Sequence, residues 1–282
     1  MNKSSFFSGG LVLLALLFLY APIAVLIAMS FNASKYNRLP FEFSTRWYQD
    51  LFQNEALLAA TWNSILIALA TGIICVLLAT LLVLGAQALS RKMQRALQSA
   101  TLMTLTVPWL ILGLSLLLMI RALDFSKNLF FLLAGHVVIA LPYSVLALQA
   151  RVQSLDPALE EASGSLGAGP LTTFRRVTLP TLAPAMVAGG FLSFMISFDN
   201  FVISYFLAPF GFTTLPIEIQ SAIKFGFTPE INAVSTIIIG ISLGCLAVAG
   251  LLLELGVSQP GKKNNRSQFL LDVSAPKQYN KT

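Results

Sequence analysis

The chain has 282 residues, of which 56% are hydrophobic and only 11% charged, with a net charge of +6. Ordinary soluble chains carry about a quarter Asp, Glu, Lys and Arg, so this one has too little charge to cover a water-facing surface, and its excess apolar content is left to face lipid. Its basic residues lie between and after apolar runs and form no patch interleaved with aromatics, which argues against a nucleic-acid surface.

Uncharged stretches organise the chain in order: residues 4–34, 56–90, 96–120, 128–150 (interrupted only by His136), 177–198 and 231–253. A helix needs about 20 apolar residues to cross the hydrocarbon core. In lipid each backbone N–H and C=O has to be bonded within the segment, so helices are expected. Barrel strands would alternate in segments of about ten residues, and these runs do not. The first run is too long for a signal-peptide core of about 7–15 residues and no A-x-A site follows it, so it reads as an uncleaved first helix, with a kink expected at Pro22.

The expected fold is an all-α membrane protein. It has one transmembrane domain over residues 1–260, with about six spans near 8–30, 62–88, 98–120, 129–150, 181–207 and 232–255, and a polar tail at 261–282. Both termini then share a side. If that side is cytoplasmic, the short inner segments hold Lys3, Arg91, Lys92, Arg95, Arg151, Arg175, Arg176, Lys262, Lys263 and Arg266, ten in all, against six outside: Lys35, Arg38, Arg46, Arg121, Lys127 and Lys224. The positive-inside rule favours that orientation. Cys75 and Cys245 lie inside apolar runs without metal-ligand or disulfide spacing. His136, the single histidine, reads as a satisfied buried or interfacial side chain rather than a metal site.

Loop 151–180 carries the most information. Asp156-Pro157 reads as a helix start, with the carboxylate positioned to cap free N–H groups and Glu160 and Glu161 near the positive helix end. Gly164 and Gly167 are expected to end that helix. Gly169-Pro170 opens a second short helix over residues 171–177, which Leu179-Pro180 is expected to stop before the fifth span. Two short helices at a glycine elbow, with apolar residues showing, form a docking surface; an ordinary connecting loop is the plain alternative.

Glu161-Ala162-Ser163, three residues, Gly167, nine residues, then Val177-Thr178-Leu179-Pro180 resembles the E-A-A…G…I-x-L-P signature of ABC importer permeases, with Ser163 and Val177 as small departures. The resemblance implies the type I importer permease fold and a coupling helix seated in a groove of an ATPase, with Glu161, Ala162, Gly167, Val177, Leu179 and Pro180 at that joint. Further segments resemble the PotC/PotI-type subunits of spermidine/putrescine importers: Ser30-Phe31-Asn32, Trp47-Tyr48, Asn63-Ser64, Asp199-Asn200 and Thr214-Leu215-Pro216. The implied partners are a second permease subunit in a heterodimer, two ATP-binding subunits and an extracytoplasmic substrate-binding protein in a bacterial inner membrane. ATP and Mg are used by the ATPase. This chain is expected to bind no cofactor: Gly256…Gly261-Lys262 is no P-loop, because Lys263 holds the Ser/Thr position and a membrane span precedes it.

Asp199 stands between uncharged runs, at or near membrane depth, where an acid is costly and usually faces a pathway or a partner. Phe198, Asn200, Phe201 and Tyr205 surround it in sequence. A carboxylate among rings suits a linear polycation, since ring faces offer cation–π contacts of about 0.5–2 kcal/mol. An internal partner, or the cap of a broken helix, is the alternative role for Asp199. The polyamine permeases carry an acid after the proline near the start of the third span, whereas Trp109 follows Pro108 here. Trp109 is therefore a ring replacing the acid, the mark of a less charged substrate, or an interfacial anchor. A secondary transporter would need matched broken helices and several intramembrane ionisable groups. A membrane enzyme would need a cluster of catalytic groups, and the sequence shows none.

Overall fold

In a computed structural model, the chain is described over residues 3–35, 39–225 and 230–257, with side chains over 9–35, 39–224 and 230–244. The polar tail at 261–282, with Lys262, Lys263 and Arg266, lies outside the described residues, as do Arg38 and the Cys245 side chain. Among the described residues the regular structure is helical, save one antiparallel bridge between Asn32 and Phe43. Clustering of contacts divides the chain into a unit Met1–Thr236 and a unit Ile237–Thr282.

Helix α1 (Lys3–Ser30) runs through Pro22. A short α2 (Arg46–Gln53) leads into α3 (Glu55–Gln87), which starts earlier than the span expected near 62–88 because Asn54 caps it, accepting the Leu57 N–H at 3.0 Å. Helix α6 (Leu129–Gln153) matches the fourth expected span. Helix α12 (Glu230–Val257) is 28 residues long, about 42 Å at 1.5 Å per residue, and covers the stretch of the sixth expected span.

The third and fifth expected spans are not the continuous helices that the apolar runs imply. Residues 98–120 divide into α4 (Arg91–Thr106) and α5 (Trp109–Ala122), bent by 102°. Pro108 causes the break: its ring fixes φ at −56° and pushes Val107 to extended backbone (φ −80°, ψ 124°). The span expected at 181–207 is α9 (Leu179–Phe198), then a break at Asp199-Asn200, then α10 (Phe201–Leu207). Asn200 starts the second half by accepting the Ile203 N–H at 2.7 Å, a local bond that competes with helix continuation. Among the described residues four helices are long and apolar enough to span, or five counting the bent α4–α5 pair.

Helices α3, α6 and α9 pack together as the centre of the larger unit. Between lipid-bathed helices there is little hydrophobic drive, so close approach and polar bonds hold them. Ser144 on α6 donates to the Gly189 carbonyl on α9 at 2.8 Å, and Ser193 returns a bond to the Ala140 carbonyl at 2.9 Å. A Cβ at Gly72 would come 2.9 Å from the Gly190 carbonyl oxygen, and one at Gly190 would meet Val76 at 2.8 Å. Since backbone cannot swing aside, Gly72→Val is expected to cost about 1–3 kcal/mol and to lower the thermal unfolding midpoint in detergent. Gly85→Val, on the same helix with open space around it, should shift the midpoint far less.

An apolar cluster of Ile67, Ile120, Leu132, Ile139, Ile203 and Leu207 joins α3, α5, α6 and α10. Two further ties use residues distant in sequence. Trp47 donates its indole N–H to the Asn32 carbonyl at 2.6 Å while Ser30 and Tyr48 hydroxyls meet at 2.8 Å, folding α2 onto the end of α1. Asn63 donates to the Thr213 carbonyl at 3.0 Å and Ser64 accepts the Leu215 N–H at 2.8 Å, holding the start of α11 (Leu215–Phe225) against α3.

Candidate functional site

Two features stand out: an elbow between α6 and α9, and the interruption in the fifth span.

The elbow begins as expected, with Asp156 accepting the Ala158 N–H at 3.0 Å and Pro157 in the cap position of α7 (Ala158–Ser165). Gly164 does not end α7 but lies inside it; the left-handed turn is Gly167, at φ +80°. Helix α8 (Pro170–Thr173) is one turn long and passes without interruption through a π turn, Phe174–Thr178, into α9. Leu179-Pro180 therefore does not stop the second helix. Proline has no N–H to give to the carbonyl four residues back, and the helix absorbs this by widening one turn: the Leu179 N–H reaches the Phe174 carbonyl, five residues back. The second arm of the elbow is thus continuous with the fifth span.

Cross-braces lock the elbow. Thr178 donates to the Glu160 carboxylate at 2.6 Å, and the Ser163 and Thr173 hydroxyls meet at 2.9 Å across the turn. Arg151 at the end of α6 donates to the Thr181 carbonyl at 3.0 Å. Glu161 and Ala162 stand exposed on α7, Val177 and Leu179 are half-buried at the neck, and Pro180 is exposed. Leu159, Leu166 and Leu171 are all exposed, Leu166 at 89%. Water-facing leucines on a braced lever make a surface shaped to receive another protein. Sequence reasoning named Glu161, Ala162 and Pro180, which are exposed, and Val177 and Leu179, which are half-buried, but singled out neither the three leucines nor the braces. Thr178→Val, which removes the Glu160 bond, is expected to raise the rate of proteolytic cleavage within 158–178 several-fold in detergent-solubilised protein, read by timed digestion.

At the interruption, Asp199 occupies the C-cap of α9, its carboxylate exposed and without a hydrogen-bond or ion-pair partner among the described residues. Only the backbone N–H of Asp199 takes part in ending α9; the side-chain cap at the break is made by Asn200. Phe198, half-buried, stacks on Phe194 at 5.8 Å, and Phe201 meets the exposed Tyr205 at 5.2 Å, so ring pairs flank the acid on both sides in the chain. Asn200 is turned inward, 1% exposed, as the cap of α10; its Nδ2 has no partner among the described residues. Trp109, 38% exposed, is the first residue of α5, whose Gly113 rests against Val202, Ile203 and Phe206 of α10. No ring contact or hydrogen bond joins Trp109 to Asp199 among the described residues. His136 is 1% exposed and bonded through both ring nitrogens, to Ser197 and Ser204.

Solved structures share this fold. A chain of a bacterial ABC transporter involved in the import of the acidic polysaccharide alginate aligns with TM-score 0.61 and 18% identity, covering 90% of this chain and 98% of that one. A chain of the MetNI methionine ABC transporter aligns with TM-score 0.59 and 16% identity, covering 72% and 96%. These likenesses establish the fold that the chain shares with transporter membrane chains.

The chain belongs to the family of binding-protein-dependent transport system inner membrane components, whose family model matches residues 76–255. Among its curated relatives, the spermidine/putrescine transport system permease protein PotC of Haemophilus influenzae is 32% identical over 235 residues, covering 83% of this chain and 91% of that protein. The putrescine transport system permease protein PotI of Escherichia coli K12 is 35% identical over 240 residues, covering 82% and 84%. A putative 2-aminoethylphosphonate permease, PhnV of Salmonella paratyphi A, is 28% identical over 236 residues.

Proposed function

We propose that this chain forms half of the translocation pathway of a polyamine importer, carrying putrescine or spermidine. The observation that carries the reading is the interruption at Asp199: an unpaired carboxylate at the C-terminal end of a half-helix, flanked by ring pairs. The last carbonyls of α9 add the negative end of the helix dipole to the acid's charge. Broken helices in membranes are tolerated where they line a cavity, and their ends serve as ion sites. An ammonium group gains from all three sources of negative potential, and the aromatic faces accommodate the methylene stem. Polyamine-permease relatives at 31–35% identity support the same substrate class.

In this reading the second permease subunit completes the path, two ATPase subunits grip the paired elbows, and an extracytoplasmic binding protein delivers substrate to the face opposite the elbow. Both termini are cytoplasmic. Because α7, α8 and α9 form one braced body, movement of the elbow by an ATPase is carried into the fifth span as a rigid rocking motion. Glu161, Ala162 and Gly167 meet the ATPase, while Val177, Leu179 and Pro180 form the neck.

The test is uptake of labelled putrescine and spermidine by cells expressing the full complex, competed with an unlabelled excess of each, of a singly charged amine and of neutral and anionic solutes. Competition by polyamines alone is the expected result. Competition by a singly charged amine or an anion, with none by either polyamine, would assign another small solute and leave the importer assignment standing.

A further inference from the structure

We infer that His136 is a positioning residue of the translocation path: its ring staples the two halves of the interrupted fifth span and so sets where Asp199 stands. The second half of this statement rests on the reading of Asp199 as a pathway group.

His136 sits on α6, and its Nδ1 lies 2.9 Å from Ser197 Oγ and its Nε2 3.1 Å from Ser204 Oγ. Ser197 belongs to the last turn of α9 and Ser204 to α10, so the imidazole reaches across the Asp199-Asn200 break. It lies seven residues, about 10 Å, from the α6 end opposite the elbow. Both serines and the ring are buried.

The direction of each bond follows from counting protons. Thr71 spends its hydroxyl proton on the Ile67 carbonyl at 2.8 Å. The 3.2 Å contact between Thr71 and Ser197 therefore takes its proton from Ser197. Ser197, its single proton committed, accepts from His136, which places the ring proton on Nδ1. In a neutral ring Nε2 then carries only a lone pair, and Ser204 donates to it. The result is a one-way run from Ser204 through His136, Ser197 and Thr71 to the Ile67 carbonyl, joining α10, α6, α9 and α3 with each donor used once. A seven-residue α10 cut off from α9 by two non-helical residues gains a fixed place by this route. The acid between the two bonded serines is held with it.

Two measurements test the inference. Since His136 is the only histidine, the full chain labelled with ¹⁵N-histidine and placed in lipid nanodiscs, without a histidine tag, reports its tautomer directly. The Nδ1–H form is expected, lost on Ser197→Ala; the Nε2–H form, or a spectrum indifferent to Ser197→Ala, would overturn the staple. In the assembled importer, His136→Leu is expected to raise the KM for polyamine uptake about tenfold, the order of effect of removing a buried hydrogen-bond partner. His136→Gln, whose amide can both donate and accept, should recover part of it. In an Asp199→Asn background the same His136→Leu change should add little, because both act through one group. Equal losses in the two backgrounds would show a purely structural role and overturn the positioning claim. Full uptake by Asp199→Asn alone would instead remove the reading beneath it, with the tautomer still deciding the staple.

Discussion

An importer carrying Gly167→Val is expected to keep hydrolysing ATP while its uptake falls by about a hundredfold. Gly167 is at φ +80° at the corner between α7 and α8, with nothing within 4 Å of where a Cβ would stand. Steric crowding is therefore not the problem. The backbone is: an L-residue pays roughly 1–2 kcal/mol in the left-handed region, and a β-branched one is a genuine outlier there. Relief requires the turn to change hand, which would pull apart the Ser163–Thr173 and Glu160–Thr178 braces and re-aim Leu166 and Leu171. The elbow would then meet its ATPase in the wrong shape, so that force is lost between fuel and path. Gly167→Ala should be milder. Gly164→Val, inside α7 with ordinary backbone and open space, should assemble and transport well above the Gly167→Val level. Uptake and ATPase rates measured on the same proteoliposomes check this; tight coupling retained in Gly167→Val would remove the elbow from force transmission.

Asp199→Asn is expected to raise the KM for polyamine uptake about ten- to a hundredfold, with complex assembly unchanged. The substitution keeps size and cap geometry while deleting the charge. Two unit charges 4 Å apart attract by about 4 kcal/mol at the effective dielectric of a protein surface. The exposed carboxylate loses much of that to solvent, and a residual of about 1.4–2.8 kcal/mol corresponds to the stated range. Asp199→Glu, which keeps the charge on a longer arm, should fall between. Because α9 ends at Phe198 in either case, neither variant should change the unfolding midpoint much; a large drop in stability with little change in KM would make the acid a structural cap. Raised salt should weaken wild-type uptake more than that of Asp199→Asn, since screening acts on the charge the variant lacks.

The composition and runs of the chain were sufficient for the membrane class and for which stretches form long apolar helices, because lipid imposes one-dimensional rules: about 20 apolar residues per crossing and no unbonded backbone. The elbow was legible for a similar reason. Asp156, Gly167 and Pro170 act on their own backbone neighbours, so their spacing along the chain carries the turn. Pro108 is a local signal too, but an uncharged run hides it: nothing in hydropathy distinguishes a straight crossing from one bent by 102°. At 199–200 the acid between two runs left a broken helix as one alternative, and the Asn200 cap decided it. Pro180 misled in the opposite direction, because the helix absorbs it in a π turn, with the Leu179 N–H bonded five residues back, rather than ending there.

What the amino-acid order determined by itself was everything set by the solvent and by neighbours a few residues apart: long apolar helices, a glycine elbow, an acid between two uncharged runs. What only the tertiary structure decided was which distant groups meet. His136 stands 61 residues from Ser197 and 68 from Ser204, and Asn63 lies 150 from Thr213. Such pairings arise from helix packing, where a buried donor must find whatever acceptor the neighbouring helix presents, and no periodicity along one segment records what another segment will offer.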